Sequence, residues 1–401
     1  MSGTRLVRAL ATTAAVALAI AGCGGNDNSS STGGTSGGAA APTKAANAAD
    51  PRGDGKAQCS NASLAYIGTI AGDNAALGLA ILNGARLAVK QHNAANPGCV
   101  VNLREFDSEG SPDKAPGVVA QAVNTPDILG VVGLPFSGES KAVGKTFSDA
   151  GLVTISPSAT NPGLSKNGWK TFFRALGNDS VQGPAAAKFI TDDLKASKVC
   201  VIRDDSEYGS GLAAAVKEAL GSKIVCEDQV KSKQKEFAAT VSKVEAAKPD
   251  AIFYSGYYTE AAPLADQLFN KGVTAKLVAP DGTKDDQFVK NSGDAAEGAY
   301  FTCPCVPADE FKEFTDEYKK LANTEPSTYS AEGYDAATIL LKAIDSGKKD
   351  RAGVLEFVRT YEGQGLTKKF KWDATGELTE TPVWSYKVEG GKIVKNKPIG
   401  S

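Results

Sequence analysis

The sequence predicts an α/β fold with two doubly wound lobes, each built on a largely parallel sheet. From Ser63 onward, short apolar runs alternate with stretches of helical pattern, as in repeated βαβ units. The runs are almost continuously apolar, which is typical of strands that helices cover on both faces. Nine such runs are present. Because one sheet commonly holds about five or six strands, we expect two sheets.

The elements follow one another regularly as far as Cys305. The predicted strands are, in order, SLAYIGTI, VVNLREF, DILGVVGL, GLVTIS, KVCVIRD, SKIVCED, DAIFYSG, AKLVAPD and EGAYFTC. The predicted helices between them are LGLAILNGARLAVKQHNAAN, DKAPGVVAQAVN, SKAVGKTFSDA, GPAAAKFITDDLKA, GSGLAAAVKEALG, EFAATVSKVEAAK and TEAAPLADQLFNKG. The connections between neighbouring parallel strands are expected to be right-handed.

The pattern changes beyond Cys305. Helical pattern dominates from Asp309 to Gly363, and two extended segments joined by turns follow, KFKWDATGEL and PVWSYKVEGGKIV. This late return to strands predicts that the chain crosses back between the lobes.

The first residues predict export. Arg5 and Arg8 precede the apolar segment LATTAAVALAIAG, which at about 13 residues is too short to span a bilayer and fits a secretory signal. The segment ends in IAGC, which resembles a bacterial lipobox. We therefore expect residues 1–22 to be a signal peptide and Cys23 to carry lipid, with an unlipidated signal peptide as the alternative. Residues 23–57 are rich in glycine, serine and alanine and predict a flexible tether.

Charge and composition argue against several classes of function. The chain has 44 basic and 46 acidic side chains, a formal charge of −2 and no long basic run, so nothing indicates nucleic-acid binding. The one histidine, His92, excludes a metal site with several histidine ligands. It lies near the end of a predicted helix, where we expect a surface position. No metal and no cofactor is predicted.

The cysteines predict disulfides rather than a metal centre. With Cys23 assigned to lipid, an even number remains in an exported chain. The remaining residues are Cys59, Cys99, Cys200, Cys226, Cys303 and Cys305. Cys59 and Cys99 mark two neighbouring predicted strands, and so do Cys200 and Cys226, so each of these pairs can reach bonding distance. Cys303 and Cys305 are then left together in a small loop. The pairing stays open at this point, and zinc is less favoured because paired C-x-x-C motifs are missing.

Polar and aromatic side chains follow the predicted strands, at the ends where open α/β sheets bind ligands. The set comprises Ser137, Ser158, Thr160, Tyr208, Tyr257 and Asp281. The hydroxyls of the first lobe, with backbone N–H groups, can bind an anion. The aspartate of the second lobe can pair with a buried ammonium, and the tyrosines supply apolar walls. Together they favour a zwitterion with a modest apolar tail, which describes a free amino acid.

Each of these residues also has an ordinary structural interpretation. The three hydroxyl residues fit helix caps, Asp281 before Gly282 fits a turn, and the tyrosines fit a core or a surface. Taken singly, every position favours that interpretation. Their common placement after strands favours a binding site.

The chain resembles the periplasmic leucine/isoleucine/valine-binding proteins of ABC importers. The likeness extends from Leu64 to Val388, after a lipobox and a tether, and rests on segments in order and with compatible spacing: GLPFSGES, TISPSATNPGLS, SVQGPAAAKFI, RDDSEYGSGLAAAVKEAL, FYSGYYTEAAPLADQ and APDGTKDD. It implies the type I periplasmic-binding fold, in which two Rossmann-like lobes are joined by three crossovers and close around an amino acid. Lobe 1 is then expected to comprise residues 58–174 and 303–380, and lobe 2 residues 175–302 and 381–401.

The resemblance implies roles for individual residues. Ser137 and Thr160 would bind the α-carboxylate together with the backbone N–H of Ser158. The carbonyl of Ser158, Tyr257 and Asp281 would hold the α-ammonium. The pocket for the ligand side chain would be lined by Phe136, Tyr208, Tyr329 and Leu77.

Three positions depart from the family pattern. Asp281 stands where the family usually has glutamate, which keeps the charge but shortens the reach. Leu77 stands where tyrosine is common. Phe136 replaces a cysteine, so the disulfide that ends beside the carboxylate-binding serine in close branched-chain binders is missing. Leucine, isoleucine or valine remain the first choice of ligand, and these departures leave other apolar amino acids or amides open.

The predicted function is capture of a free amino acid for an ABC permease and its ATPase. The protein is expected to be an exported monomer, held by its lipid at the outer face of the cytoplasmic membrane or in the periplasm. One alternative is a lipoprotein that senses another amino acid or an amide and acts with a receptor. An exported hydrolase is disfavoured, because the G-x-S-x-G elbow is missing and His92 is remote from the candidate serines.

Overall fold

The computed structural model describes residues 48–400. The predicted signal peptide, Cys23 and most of the predicted tether lie outside the described residues. Within the described part, no helix is both long and apolar enough to cross a bilayer. The tether was predicted to extend too far. The N–H of Ala49 donates to the carbonyl of Gln364 (2.6 Å), and that of Ala57 donates to the side chain of Asn96 (3.1 Å), so residues 48–57 pack on the folded chain.

The first part of the chain forms five strands and three helices. They are β1 (Ser63–Gly68), α1 (Ala75–Ala95), β2 (Asn102–Asp107), α2 (Ala115–Val123), β3 (Ile128–Gly133), α3 (Ser137–Ala150), β4 (Val153–Ser156) and β5 (Phe172–Arg174). These strands form one parallel sheet in the order β2-β1-β3-β4-β5. We call this sheet and its covering helices the first lobe.

The middle of the chain repeats the pattern in a second sheet. Its elements are α4 (Asp179–Lys188), β6 (Val199–Arg203), α5 (Glu207–Leu220), β7 (Ile224–Gln229), α6 (Ala238–Ala247), β8 (Ala251–Ser255), α7 (Tyr258–Asn270), β9 (Lys276–Pro280), α8 (Asp286–Ser292) and β10 (Tyr300–Cys303). We call this sheet and its covering helices the second lobe.

The last part of the chain returns to both lobes in turn. Its elements are α9 (Lys312–Ala322), α10 (Ser330–Asp345), α11 (Arg351–Thr360), β11 (Glu362–Gln364), β12 (Lys369–Lys371), β13 (Val383–Glu389) and β14 (Lys392–Ile399). Helix α10 packs along α1, and α11 packs on β3 and β4. Strand β13 then pairs antiparallel with β10, which completes the order β14-β13-β10-β9-β8-β6-β7. The chain thus crosses between the lobes three times, and the predicted α/β fold with two doubly wound sheets is confirmed.

The predicted strands agree with the structure, and the helix starts differ. All nine predicted strands are present, as β1 to β4 and β6 to β10. Strand β5 and helix α8 were not predicted, because elements of 3 and 7 residues carry too little periodicity. Helices α3 and α5 begin earlier than predicted, so Ser137 and Tyr208 lie in first helical turns. Ser206 fixes the start of α5, because its hydroxyl accepts the N–H of Gly209 (2.9 Å).

The six cysteines form three disulfides in the structure. The pairs are Cys59–Cys99, Cys200–Cys226 and Cys303–Cys305, with Cα atoms 4.5, 4.6 and 5.0 Å apart. The second pair joins register partners on the parallel strands β6 and β7. The adjacency of sequential parallel strands that the sequence predicts therefore brings these sulfur atoms together.

The predicted surface position of His92 is wrong. The imidazole is fully buried under α10, and its Nε2 lies 2.8 Å from Oδ1 of Asp345. Burial disfavours the charged ring, but hydrogen bonds to Asp345 and Asn93 outweigh it and raise the pKa of His92. The error has a plain cause, since a polar residue at a helix end gives no sign that a later helix covers it.

We expect the contact between His92 and Asp345 to stabilise the fold in a pH-dependent way. Because the pKa of His92 is raised in the folded chain, the stabilisation is complete below about pH 6.5 and is lost as the pH rises through the raised pKa. His92→Gln should therefore lower the melting temperature by a few degrees more at pH 5.5 than at pH 8.5. Asp345→Asn serves as the matched variant in thermal unfolding. An equal loss at both pH values would contradict this account.

Candidate functional site

A cavity lies between the lobes, where strands of both sheets end at their carboxyl termini. The empty space between its walls, counted together with the part open to solvent, is about 280 Å³. The lining residues are Leu77, Pro135, Phe136, Ser137, Ser158, Tyr208, Tyr257, Asp281, Gly282 and Tyr329. The structure thus brings together the residues predicted for the site with one exception, Thr160, which is buried outside the lining.

The wall formed by the first lobe is suited to an anion. Ser137 is the first residue of α3, so the positive end of this helix dipole faces the cavity. The hydroxyl of Ser158 donates to the carbonyl of Pro135 (2.8 Å), which fixes the loop after β4 against the loop after β3. Because its proton is engaged in this way, the Ser158 hydroxyl is not free to donate to an anion in the cavity.

The opposite wall is suited to a cation. Asp281 follows β9 and is only 2% exposed. Its Oδ1 accepts hydrogen bonds from the hydroxyl of Tyr208 (2.7 Å) and the side-chain amide of Gln182 (2.7 Å). Burial raises the pKa of Asp281, and the hydrogen bonds from Tyr208 and Gln182, together with the nearby hydroxyl of Tyr329, oppose the increase. A buried carboxylate of this kind is stabilised by an ammonium group.

Aromatic rings join the two walls. Phe136 of the first lobe lies 4.9 Å from Tyr257 of the second, measured between ring centroids, and Tyr257 lies 5.1 Å from Tyr208. Tyr329 completes the wall in the left-handed region, with a φ of 66°. This backbone conformation is unfavourable for an aromatic residue and is more common at binding sites than elsewhere.

Polar contacts outside the cavity also span the lobes. The hydroxyl of Tyr258 donates to the carbonyl of Asp73 (2.7 Å), and the side-chain amide of Asn161 donates to the carbonyl of Glu207 (2.9 Å). Lys141 of α3 forms an ion pair with Glu207 of α5 (2.5 Å). The cavity is therefore enclosed by direct contacts between the two lobes.

Two buried residues beside the cavity, Asp179 and Gln182, were not among the predicted site residues. Gln182 holds Asp281 in place, and its amide also donates to the carbonyl of Thr302 (2.9 Å). Both residues lie on α4, which enters the second lobe from a crossover and does not follow one of that lobe's strands. The strand-end pattern therefore misses them. Their spacing of three on the buried side of a helix is the one sequence feature that points to them.

Residues 62–392 match the family described as periplasmic binding protein. The chain belongs to this family. The resemblance seen in the sequence is thereby confirmed, and the site described above is the interlobe cavity of a periplasmic binding protein.

Individual relatives cover most of the chain. An amino acid binding protein of Pseudomonas aeruginosa is 30% identical over 325 residues, which span 79% of this chain and 87% of that protein. A leucine-specific-binding protein of Salmonella typhimurium is 29% identical over 350 residues, or 84% of this chain and 94% of that protein. The crystal structure of the branched-chain amino acid transporter substrate binding protein LivJ from Streptococcus pneumoniae, in complex with isoleucine, has a TM-score of 0.80 at 28% identity and covers 85% of this chain and 99% of its own.

We expect Asp281 to reduce the stability of the unliganded protein. Because burial raises its pKa above the ordinary value of 3.8, stability is lost as the pH rises from about 4 towards the raised pKa. Asp281→Asn keeps the shape and removes the charge, so its melting temperature at pH 7 should exceed that of the wild type by several degrees. The two proteins should converge near pH 4. Parallel melting curves from pH 4 to 8 would show that Asp281 carries no such cost.

Proposed function

We propose that this protein is the extracytoplasmic substrate-binding component of an ABC importer and captures leucine, isoleucine or valine by closure of its lobes. One observation carries the proposal: a single cavity has a helix start on one wall and the buried carboxyl of Asp281 on the other. The relatives named for leucine binding, and LivJ solved with isoleucine, support the same class of ligand.

The two walls fit the two charges of an amino acid. The α-carboxylate binds the hydroxyls of Ser137 and Thr160 and the N–H of Ser158. The α-ammonium binds the carbonyl of Ser158, Tyr257 and Asp281. Tyr208 and Gln182 hold the carboxyl of Asp281 in place by hydrogen bonds. In this position aspartate, although shorter than the glutamate that is usual in the family, binds the ammonium.

The remaining lining favours an aliphatic side chain. Phe136, Leu77 and the ring of Tyr329 offer apolar surface, and Asp281 is the one charged residue among the lining residues of the described chain. A second charge on the ligand would therefore lie unpaired in a buried site, which is costly. Branched aliphatic side chains fill such a space without this cost.

Closure and binding are coupled because both lobes bind the same molecule. The ligand favours the closed form by as much as its contacts differ between the open and closed forms. The contacts from Tyr258 to Asp73 and from Lys141 to Glu207 add to the closed form. The protein acts as a monomer anchored by lipid on Cys23, and it delivers the ligand to an ABC permease and its ATPase. No bond is made or broken.

The ligand class is tested by calorimetry on residues 48–401 with all twenty amino acids. We expect binding of leucine, isoleucine or valine with a Kd on the order of micromolar or tighter. Small-angle scattering with the bound amino acid should report the more compact form. A flat titration across the whole set would refute amino-acid capture.

The position of the ammonium is tested with Asp281→Asn. Removing the partner of a buried charge should weaken binding by about 2–5 kcal/mol, measured as a change in Kd. Asp285→Asn is the matched control, because Asp285 is a buried carboxyl in the same loop whose role as cap of α8 asparagine can fill. Wild-type affinity in Asp281→Asn would show that the ammonium binds elsewhere.

A further inference from the structure

Behind the anion-binding wall lies a buried pair that the site does not yet explain, Thr160 and Asp179. Both side chains are fully buried. The N–H of Asp179 donates to the carbonyl of Thr160 (3.0 Å), and the two side chains lie against each other. Even so, the Thr160 hydroxyl and both carboxyl oxygens of Asp179 make no well-formed hydrogen bond. Buried polar atoms are nearly always partnered, so this pair requires a reason.

The usual structural roles of an acidic residue at this position are already filled. Helix α4 is capped by Asn178, whose side chain accepts the N–H of Ser180 (2.9 Å). The nearby guanidinium of Arg174 is occupied by Glu377 (2.9 Å) and by backbone carbonyls. Asp179 is therefore neither the cap of its helix nor the ion-pair partner of the arginine.

We propose that Asp179 is a positioning residue for the ligand: as a neutral acid it donates its proton to Oγ1 of Thr160, so that the threonine hydroxyl donates its own proton to the ligand carboxylate. This inference rests on the proposed function, in which Thr160 binds the α-carboxylate. Thr160 has one proton and Asp179 one or none, so the protonation of the acid decides which way the hydroxyl points.

Burial, with two nearby negative charges, keeps Asp179 neutral. Burial raises the pKa of Asp179 to about 8; the contact with Thr160 and the charge of Arg174 lower it, and the charges of Asp281 and Glu377 raise it. These groups come from the loop after β4, from β5, from the loop after β9 and from the loop after β12. At neutral pH the acid therefore holds its proton.

Ionisation of Asp179 would reverse the arrangement. A carboxylate can only accept, so the Thr160 hydroxyl would turn towards it and present lone pairs to the ligand carboxylate. A second negative charge would also lie near the bound anion. Both effects weaken binding, so affinity should fall as the pH rises through the pKa of Asp179.

The test measures the Kd of leucine by calorimetry between pH 6 and pH 9 for the wild type, Asp179→Asn and Thr160→Val. The wild-type Kd should be constant from pH 6 to 7 and then rise towards about tenfold per pH unit above pH 8, as loss of one proton requires. Asp179→Asn, whose amide always donates, should bind at pH 9 as tightly as at pH 6. Thr160→Val should bind more weakly at every pH and show a smaller rise than the wild type, because only the charge of ionised Asp179 then opposes the ligand carboxylate. Deprotonation of the ligand's own ammonium affects all three proteins alike and cancels in the comparison.

A matched control separates this effect from other buried acids. Glu139 is also buried, its pKa is raised to about 7, mainly by burial, and its carboxyl pairs with Ser108 and not with Thr160. Glu139→Gln should keep the wild-type profile. A wild-type affinity that is flat up to pH 9, or an unchanged profile in Asp179→Asn, overturns the role of Asp179 alone. If none of the twenty amino acids binds at pH 6, the proposed function is overturned and this inference with it.

Discussion

The buried guanidinium of Arg174 is the interaction on which the site most depends. It lies at the end of β5, at the first crossover, and its side chain is fully buried. It donates to the carbonyls of Ala159 and Asn161, which belong to the loop after β4, and it forms an ion pair with Glu377. A buried charge is tolerated only when its donors are satisfied, so these partners are fixed together.

This arrangement connects the crossovers to the binding wall. The carbonyl of Arg174 accepts a hydrogen bond from the indole N–H of Trp372 (2.6 Å). Trp372 directly follows β12, at the start of the third crossover, which leads to β13. The loop that carries Ser158 and Thr160 is thus held by the same residue that joins two of the connections between lobes. Hinge motion between the lobes can therefore change the distance between the two walls of the cavity while the wall formed by the first lobe keeps its shape.

Much of this architecture could be predicted from the sequence, because buried strands and their carboxyl ends follow simple rules. The nine strands, the two sheets and most lining residues followed from apolar runs and the residues after them, whereas Leu77 and Tyr329 were implied only by the family resemblance. What could not be predicted depends on packing between distant segments. The burial of His92 requires α10, and the helix-borne Asp179 and Gln182 reach the site only because α4 packs behind it. No local pattern carries that information.

Two buried acids at one cavity also explain why binding and closure belong together. Asp179 and Asp281 each have a raised pKa, chiefly from burial, and the charge of Asp281 raises the pKa of Asp179 further. Asparagine at both positions would satisfy the packing at lower cost. An acid at Asp281 makes physical sense if a cation enters the closed cavity and offsets its charge. A ligand ammonium does so only when both lobes surround it, because water in an open cleft screens the same charges. The empty closed form is therefore disfavoured by the unpaired buried charge, and the closed form with ligand is favoured by the ion pair. Both effects favour closure with the ligand inside.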